Sequence, residues 1–131
     1  MRDRRYRVWD PETEKMELVG ALDWEGDCEK IITCNTQTQK LYNGYYPEYD
    51  FKIMEYLNKF DSNKKELCEG DIVLRIYGMV KVLYKCVYDV GKCCYIFDPI
   101  TEGNYSKDLI HEHKVFTIVG NIFQNPEMLK G

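Results

Sequence analysis

The sequence predicts a mainly β protein of antiparallel strands, with one or two short helices at most. Three observations carry that expectation. Residues 66–77 join a Glu69-Gly70-Asp71 turn to the run Ile72-Val73-Leu74-Arg75-Ile76. Gly70 is free to take positive φ, Asp71 offers a carboxylate to nearby amides, and β-branched side chains suit a pleated surface. A second apolar run, Val80 to Tyr88, follows a turn at Gly78, so two strands pair as a central hairpin. Finally, the chain carries 11 tyrosines, a residue that favours strands and interfaces because its ring offers apolar area with a polar tip.

The other elements follow in chain order. Tyr6-Arg7-Val8-Trp9 alternates, with Arg7 and Trp9 on one face and Tyr6 and Val8 on the other. Asp10-Pro11-Glu12-Thr13 is a turn with proline at a favoured position, and Met16-Glu17-Leu18-Val19 returns as a second strand. Residues 20–29 read as an acidic connection, residues 30–34 as a short strand, and residues 35–40 as a polar loop or hairpin tip. Asn43-Gly44 is a strong turn dipeptide, with Tyr42, Tyr45, Tyr46 and Tyr49 clustered around it and Pro47. Packing of that cluster on a β-rich core is the ordinary explanation, and an exposed patch would mark an interface.

Residues 50–60 are ambiguous. Phe51, Ile53, Met54, Leu57 and Phe60 fit helical spacing behind Asp50 as an N-cap. Asp61-Ser62-Asn63-Lys64-Lys65 is a turn that delivers the chain to Glu66. Beyond the central hairpin, residues 89–92 turn again, residues 93–97 form a strand ended by Asp98-Pro99, and residues 101–106 are a polar loop. Residues 109–113 read as a short strand, residues 115–119 as an apolar strand closed by Gly120-Asn121, and residues 122–129 as a terminal segment docked on the sheet.

A chain of 131 residues is long enough for one real core, so one compact β-rich domain over residues 1–131 is expected, divisible into an N-terminal part, residues 1–50, and a barrel-like part, residues 51–131. The formal net charge of −4 disfavours nonspecific binding to phosphate backbones and anionic membranes. No apolar run approaches membrane-spanning length, and Met1 to Asp10 lacks the apolar core of a signal peptide, so a cytoplasmic location is expected. The six cysteines are then expected as free thiols, mainly small core residues.

Candidate chemistry is sparse. His111 and His113 would share a face of a strand, but they lack the helical spacing of a zinc pair, and solvated surface histidines are the ordinary explanation. Glu66, Glu69 and Asp71 form the densest acidic group, at a spacing foreign to a calcium loop and better suited to holding a turn. No pattern marks a cysteine nucleophile, a phosphate loop, a nucleophile elbow or a dinucleotide fingerprint, so no enzyme activity and no cofactor is expected. A nucleic-acid reading rests on Arg2, Arg4 and Arg5 near the start of the chain, and on Lys81 and Lys85, which fall on one strand face with Leu83 between them. The ordinary counterparts are an arginine-rich edge strand that discourages aggregation and routine lysines on an exposed strand.

Three blocks resemble the YopX-like proteins of phages and prophages: Tyr6-Arg7-Val8-Trp9-Asp10 with Lys15-Met16; Ile53-Met54-Glu55-Tyr56 with Asp61 to Glu66 and then Glu69-Gly70-Asp71-Ile72-Val73; and Thr117 to Leu129. The sequence departs from that pattern at Leu57-Asn58-Lys59-Phe60, where the family typically has a turn containing Thr-Gly, and at Asn63-Lys64, where it usually has Asn-Gly. The cysteine-rich stretch between Cys86 and Cys94 is a third departure. The resemblance implies an SH3-like barrel with additional antiparallel strands, a strand over residues 53–57, oligomers in at least some members, and no catalytic residues. Trp9, Gly70, Asp71, Gly120, Asn121 and Pro126 match its motif positions, and each has a structural reason in packing, turn conformation or docking. A self-associating interaction module that binds a host or phage protein is the function expected.

Overall fold

The computed structural model describes residues 5–10, 14–25, 28–33, 41–43 and 52–130. Tyr45, Tyr46 and Tyr49 of the tyrosine cluster, the polar run 35–40, Arg2 and Arg4 lie outside the described residues. The chain forms two compact units, residues 1–55 and 56–131.

In the first unit, β1 (Tyr6–Asp10) lies between two antiparallel neighbours. On one side Arg7 stands opposite Leu18 and Asp10 opposite Lys15 of β2 (Lys15–Glu25); on the other Tyr6 faces Glu55 and Trp9 faces Lys52 at the start of β5 (Lys52–Phe60). β2 continues into a hairpin with β3 (Cys28–Thr33), which pairs with β4 (Leu41–Asn43). Two expectations change here. Residues 20–25 are strand and not a connection, because a register shift between Val19 and Ala21 carries the ladder past Gly20. Nor is β1 an edge strand: it is paired on both sides, and Arg7, Val8 and Asp10 are buried.

The second unit curls into a half-barrel. Its sheet runs β10-β9-β8-β7-β11, all antiparallel, from β7 (Asp71–Tyr77), β8 (Val80–Asp89), β9 (Cys94–Pro99), β10 (Asp108–Leu109) and β11 (Thr117–Asn121). The end of β5 pairs with β6 (Glu66–Cys68) through Tyr56 with Cys68 and Phe60 with Glu66. The ambiguous segment is therefore a strand. Asn58 adopts a φ of 55° where the register shifts between Tyr56 and Phe60, so its apolar side chains do not keep one alternating face and imitate helical spacing.

The core sits on the inner face. Val73, Val82, Tyr84, Cys86 and Phe97 point inward by strand alternation and meet Leu57, Leu67 and Phe116. Phe116 is the centre of the aromatic packing, edge-on to Tyr84 with centroids 5.2 Å apart and tilted against Phe97 at 4.1 Å. Full burial of each such ring is worth about 1.5–3 kcal/mol.

Local polar groups fix the turns. Asp61, buried, accepts from Asn63 N at 2.9 Å and Lys65 N at 2.8 Å through Oδ1, and from Ile118 N at 2.9 Å through Oδ2, so the turn after β5 is stitched to β11. Gly70 takes a φ of 88° as expected, and its carbonyl accepts from Ile122 N at 2.9 Å. Asp71 Oδ2 accepts from Cys68 N at 2.8 Å.

The expected strand over residues 109–113 is instead a 3-10 helix, Ile110–Val115. As a strand, Leu109, His111 and His113 would share one face with little to bury; the tight turn packs Ile110 against the core and lets His113 Nδ1–H donate to the Phe60 carbonyl. A second 3-10 helix, Pro126–Lys130, ends the chain. No helix among the described residues is long and apolar enough to cross a membrane.

Candidate functional site

The sequence candidates separate once placed. Asp71 is held by its own turn, and Glu66 Oε2 accepts from Asn58 N at 3.1 Å, so both carboxylates serve local backbone. His111 Nε2 lies 3.3 Å from Glu112 Oε1 on the surface while His113 turns to the Phe60 carbonyl; no group of three metal-ligating side chains occurs among the described residues. Lys81, Leu83 and Lys85 do share the outer face of β8, but Lys85 Nζ lies 4.0 Å from Asp98 Oδ2, leaving Lys81 as the exposed cation there. Arg5 is exposed and belongs to the first unit.

The family-motif positions near the end of the chain form a latch. Asn121 Oδ1 accepts from Phe123 N at 3.1 Å and Gln124 N at 2.8 Å, and its Nδ2 donates to Gln124 Oε1 at 2.6 Å. Asn125 answers: its Oδ1 accepts from Asn121 N at 3.1 Å, and its N–H donates to the Asn121 carbonyl at 2.9 Å. Gly120 makes room for this, since a Cβ there would stand 2.5 Å from Asn125 Oδ1 and 2.8 Å from its Cγ. Pro126 opens the final 3-10 helix, where its missing N–H costs nothing.

This latch also closes a sheet border. β11 is the outermost strand beside β7, and its outward groups are already taken: Ile118 N by Asp61, the Phe116 carbonyl by Ser62 N at 2.8 Å, and Asn121 by Asn125. Ser62 Oγ and Thr117 Oγ1 add a bond of 2.6 Å. Such a border offers little to an incoming strand.

The opposite situation holds at the β7–β8 tip. Tyr77 pairs with Val80, so Gly78 and Met79 are a two-residue loop; Gly78 has a φ of 61° and open space about it, as a type II′ turn requires. Met79 at the apex is fully exposed, Ile76 is 60% exposed, Val80 48% and Tyr77 38%. Apolar side chains therefore stand exposed on both flanks of the turn and at its apex.

Behind the tip lies a cluster that joins distant parts of the chain. Arg75 Nη1 is 3.2 Å from Asp108 Oδ2, and its guanidinium lies over the rings of Tyr77 at 4.7 Å and Phe116 at 5.6 Å. The Tyr77 and Tyr84 hydroxyls are 2.9 Å apart, Tyr77 OH also donates to Asp108 Oδ2 at 3.5 Å, and the Tyr105 ring stacks on Tyr77 with centroids 6.3 Å apart. Burial, then the bond with Tyr77, pushes the Tyr84 phenol well above its ordinary pKa. It stays protonated at neutral pH and serves as a structural hydroxyl. Sequence reasoning missed this cluster because Asp108 is 33 residues from Arg75; the tip was signalled by apolar residues on both sides of Gly78.

A half-barrel of antiparallel strands with a latched terminal segment and an exposed apolar hairpin makes this a small β-barrel-like protein. The model of the YopX protein family matches residues 5–130, and the chain belongs to that family. Among solved structures, protein EF1440 from Enterococcus faecalis is similar over 98% of this chain and 99% of its own, with a TM-score of 0.62 and 20% identity. The protein yopX from Bacillus subtilis is similar over 95% of this chain and 96% of its own, with a TM-score of 0.65 and 16% identity. These likenesses show the fold. No curated protein matches the chain.

Proposed function

We propose that this protein is a non-enzymatic interaction and self-assembly module that docks through the β7–β8 tip. The observation that carries the reading is the exposure of Ile76, Met79 and Val80 around a sharp, backbone-paired turn. Methionine at the apex suits a contact surface because its unbranched thioether adapts to the shape opposite. The occupied border of β11 favours side-chain docking over strand addition. The family resemblance leads us to infer a phage or prophage origin and action in the bacterial cytoplasm on a second copy or a host protein.

The test is light scattering after size-exclusion chromatography, comparing the protein with a Met79→Asp variant. The reading expects a defined oligomer that the substitution dissociates to monomers of unchanged circular dichroism. A monomeric wild-type protein, or an oligomer indifferent to the substitution, would count against the tip. The rival nucleic-acid reading rests on Lys81 and Lys85 sharing a face; it requires salt-dependent oligonucleotide binding that a Lys81→Ala, Lys85→Ala double variant weakens.

A further inference from the structure

The described cysteines divide into two kinds. Cys68 and Cys86 are completely buried, and Cys86 belongs to the half-barrel core. Cys93 and Cys94 are adjacent at the end of the β8–β9 loop; both are free thiols, the first exposed and the second partly so.

The loop sets the backbone on which the two neighbouring thiols sit. Asp89 pairs with Cys94, so residues 90–93 form a four-residue connection. Lys92 N donates to Asp89 Oδ1 and Cys93 N to the Val90 carbonyl, each at 3.3 Å. Cys93 then takes a φ of 53°, the left-handed conformation that such a loop reserves for its last residue and that glycine or asparagine usually fills. Cys93 lies in the turn and β9 begins at Cys94, so the two thiols are one peptide apart at the boundary between turn and strand. The Cys93 thiol touches only the rim of its own loop, 3.5 Å from the Val90 carbonyl. Packing does not account for a thiol in this position.

Two adjacent thiols without further donors select a particular ligand chemistry. Tetrahedral zinc takes four ligands, and no group of three ligating side chains exists among the described residues. A trivalent organoarsenical needs only two thiolates. We propose that Cys93 and Cys94 form a two-thiol site for trivalent arsenicals. An arylarsenic(III) oxide condenses with both: two arsenic–sulfur bonds form, the arsenic–oxygen bond breaks, and the oxygen leaves as water with the two thiol protons. Arsenic stays trivalent, so the step needs no oxidant or reductant. The site stands apart from the tip and does not depend on the assembly reading.

The probe is phenylarsine oxide, added at one equivalent to the folded full chain and followed by intact-mass and peptide-mapping mass spectrometry. One adduct is expected, bridging residues 93 and 94, protecting both from iodoacetamide and removed by excess dimercaptopropanol. Cys93→Ser, at an exposed position, and Cys94→Ser should each weaken binding about 10²–10⁴-fold, the advantage of holding the second thiol in place. Iodoacetamide competition on the wild-type chain gives the same answer without any variant. Absence of an adduct at one equivalent, its location on Cys28 or Cys34, its persistence in either single variant, or arsenic bridging two chains would overturn the proposal.

Discussion

Lys64 has a φ of 64°, Asn58 of 55° and Cys93 of 53°. Each bears the cost of a Cβ in the left-handed region, where glycine would sit without strain. Lys64→Gly should therefore stabilise the protein by about 0.5–1 kcal/mol, seen as a higher urea midpoint at unchanged slope. Gly120 is the converse case. Gly120→Ala drives a methyl into the Asn125 side-chain amide, which is held in place by the bond its Oδ1 accepts from Asn121 N and by the Asn125 backbone N–H donating to the Asn121 carbonyl; a loss of about 1–3 kcal/mol is expected by urea titration, with Asn125→Ala losing less. Tyr84 predicts a pH effect. Its folded pKa is raised above the unfolded value near 10, so the stability it contributes is fully present below about pH 10 and is lost as pH rises beyond that. Tyr84→Phe should flatten the alkaline decline of the urea midpoint relative to wild type.

At the scale of elements, the turns were legible and their partners were not. Glu69-Gly70-Asp71, Asp61 to Lys65 and Gly78 announce themselves because their conformations are dictated within a few residues. The segment 109–113 failed for the opposite reason: its alternation is real, but the bonds that decide its shape run from His113 to Phe60 and from Asp108 to Arg75, far along the chain. Half of the candidate site was equally hidden. Ile76, Met79 and Val80 could be read as a tip from sequence, whereas the polar cluster behind them needs β10 beside β9. The hairpin itself yields a prediction. Gly78→Val places a β-branched residue at a φ of 61° and should cost about 1–3 kcal/mol, read as a lower urea midpoint. Met79→Asp, at a fully exposed apex, should change the stability of the single subunit by no more than about 0.5 kcal/mol, and any larger fall in the midpoint measures the assembly it dissolves.

For the whole molecule, composition and the three motif blocks sufficed for the fold class, and one chain with two compact units accommodates both. What composition did not convey is how strongly the second unit converges on one ring. Phe116 touches Tyr84, Phe97 and the Arg75 guanidinium at once. Phe116→Ala should cost about 3–5 kcal/mol, a large part of a small domain's stability, and depress the thermal midpoint and near-ultraviolet circular dichroism together.

The stitched border of β11 has a consequence for how such a protein changes over generations. An edge whose backbone groups are already occupied is closed to strand addition and leaves side chains as what it can offer. On the β7–β8 hairpin the exposed side chains flank a two-residue bend that touches little else. Those residues are exchangeable codon by codon without disturbing the bonds of Asp61, Asn121 and Asn125 that lock the other edge of the scaffold.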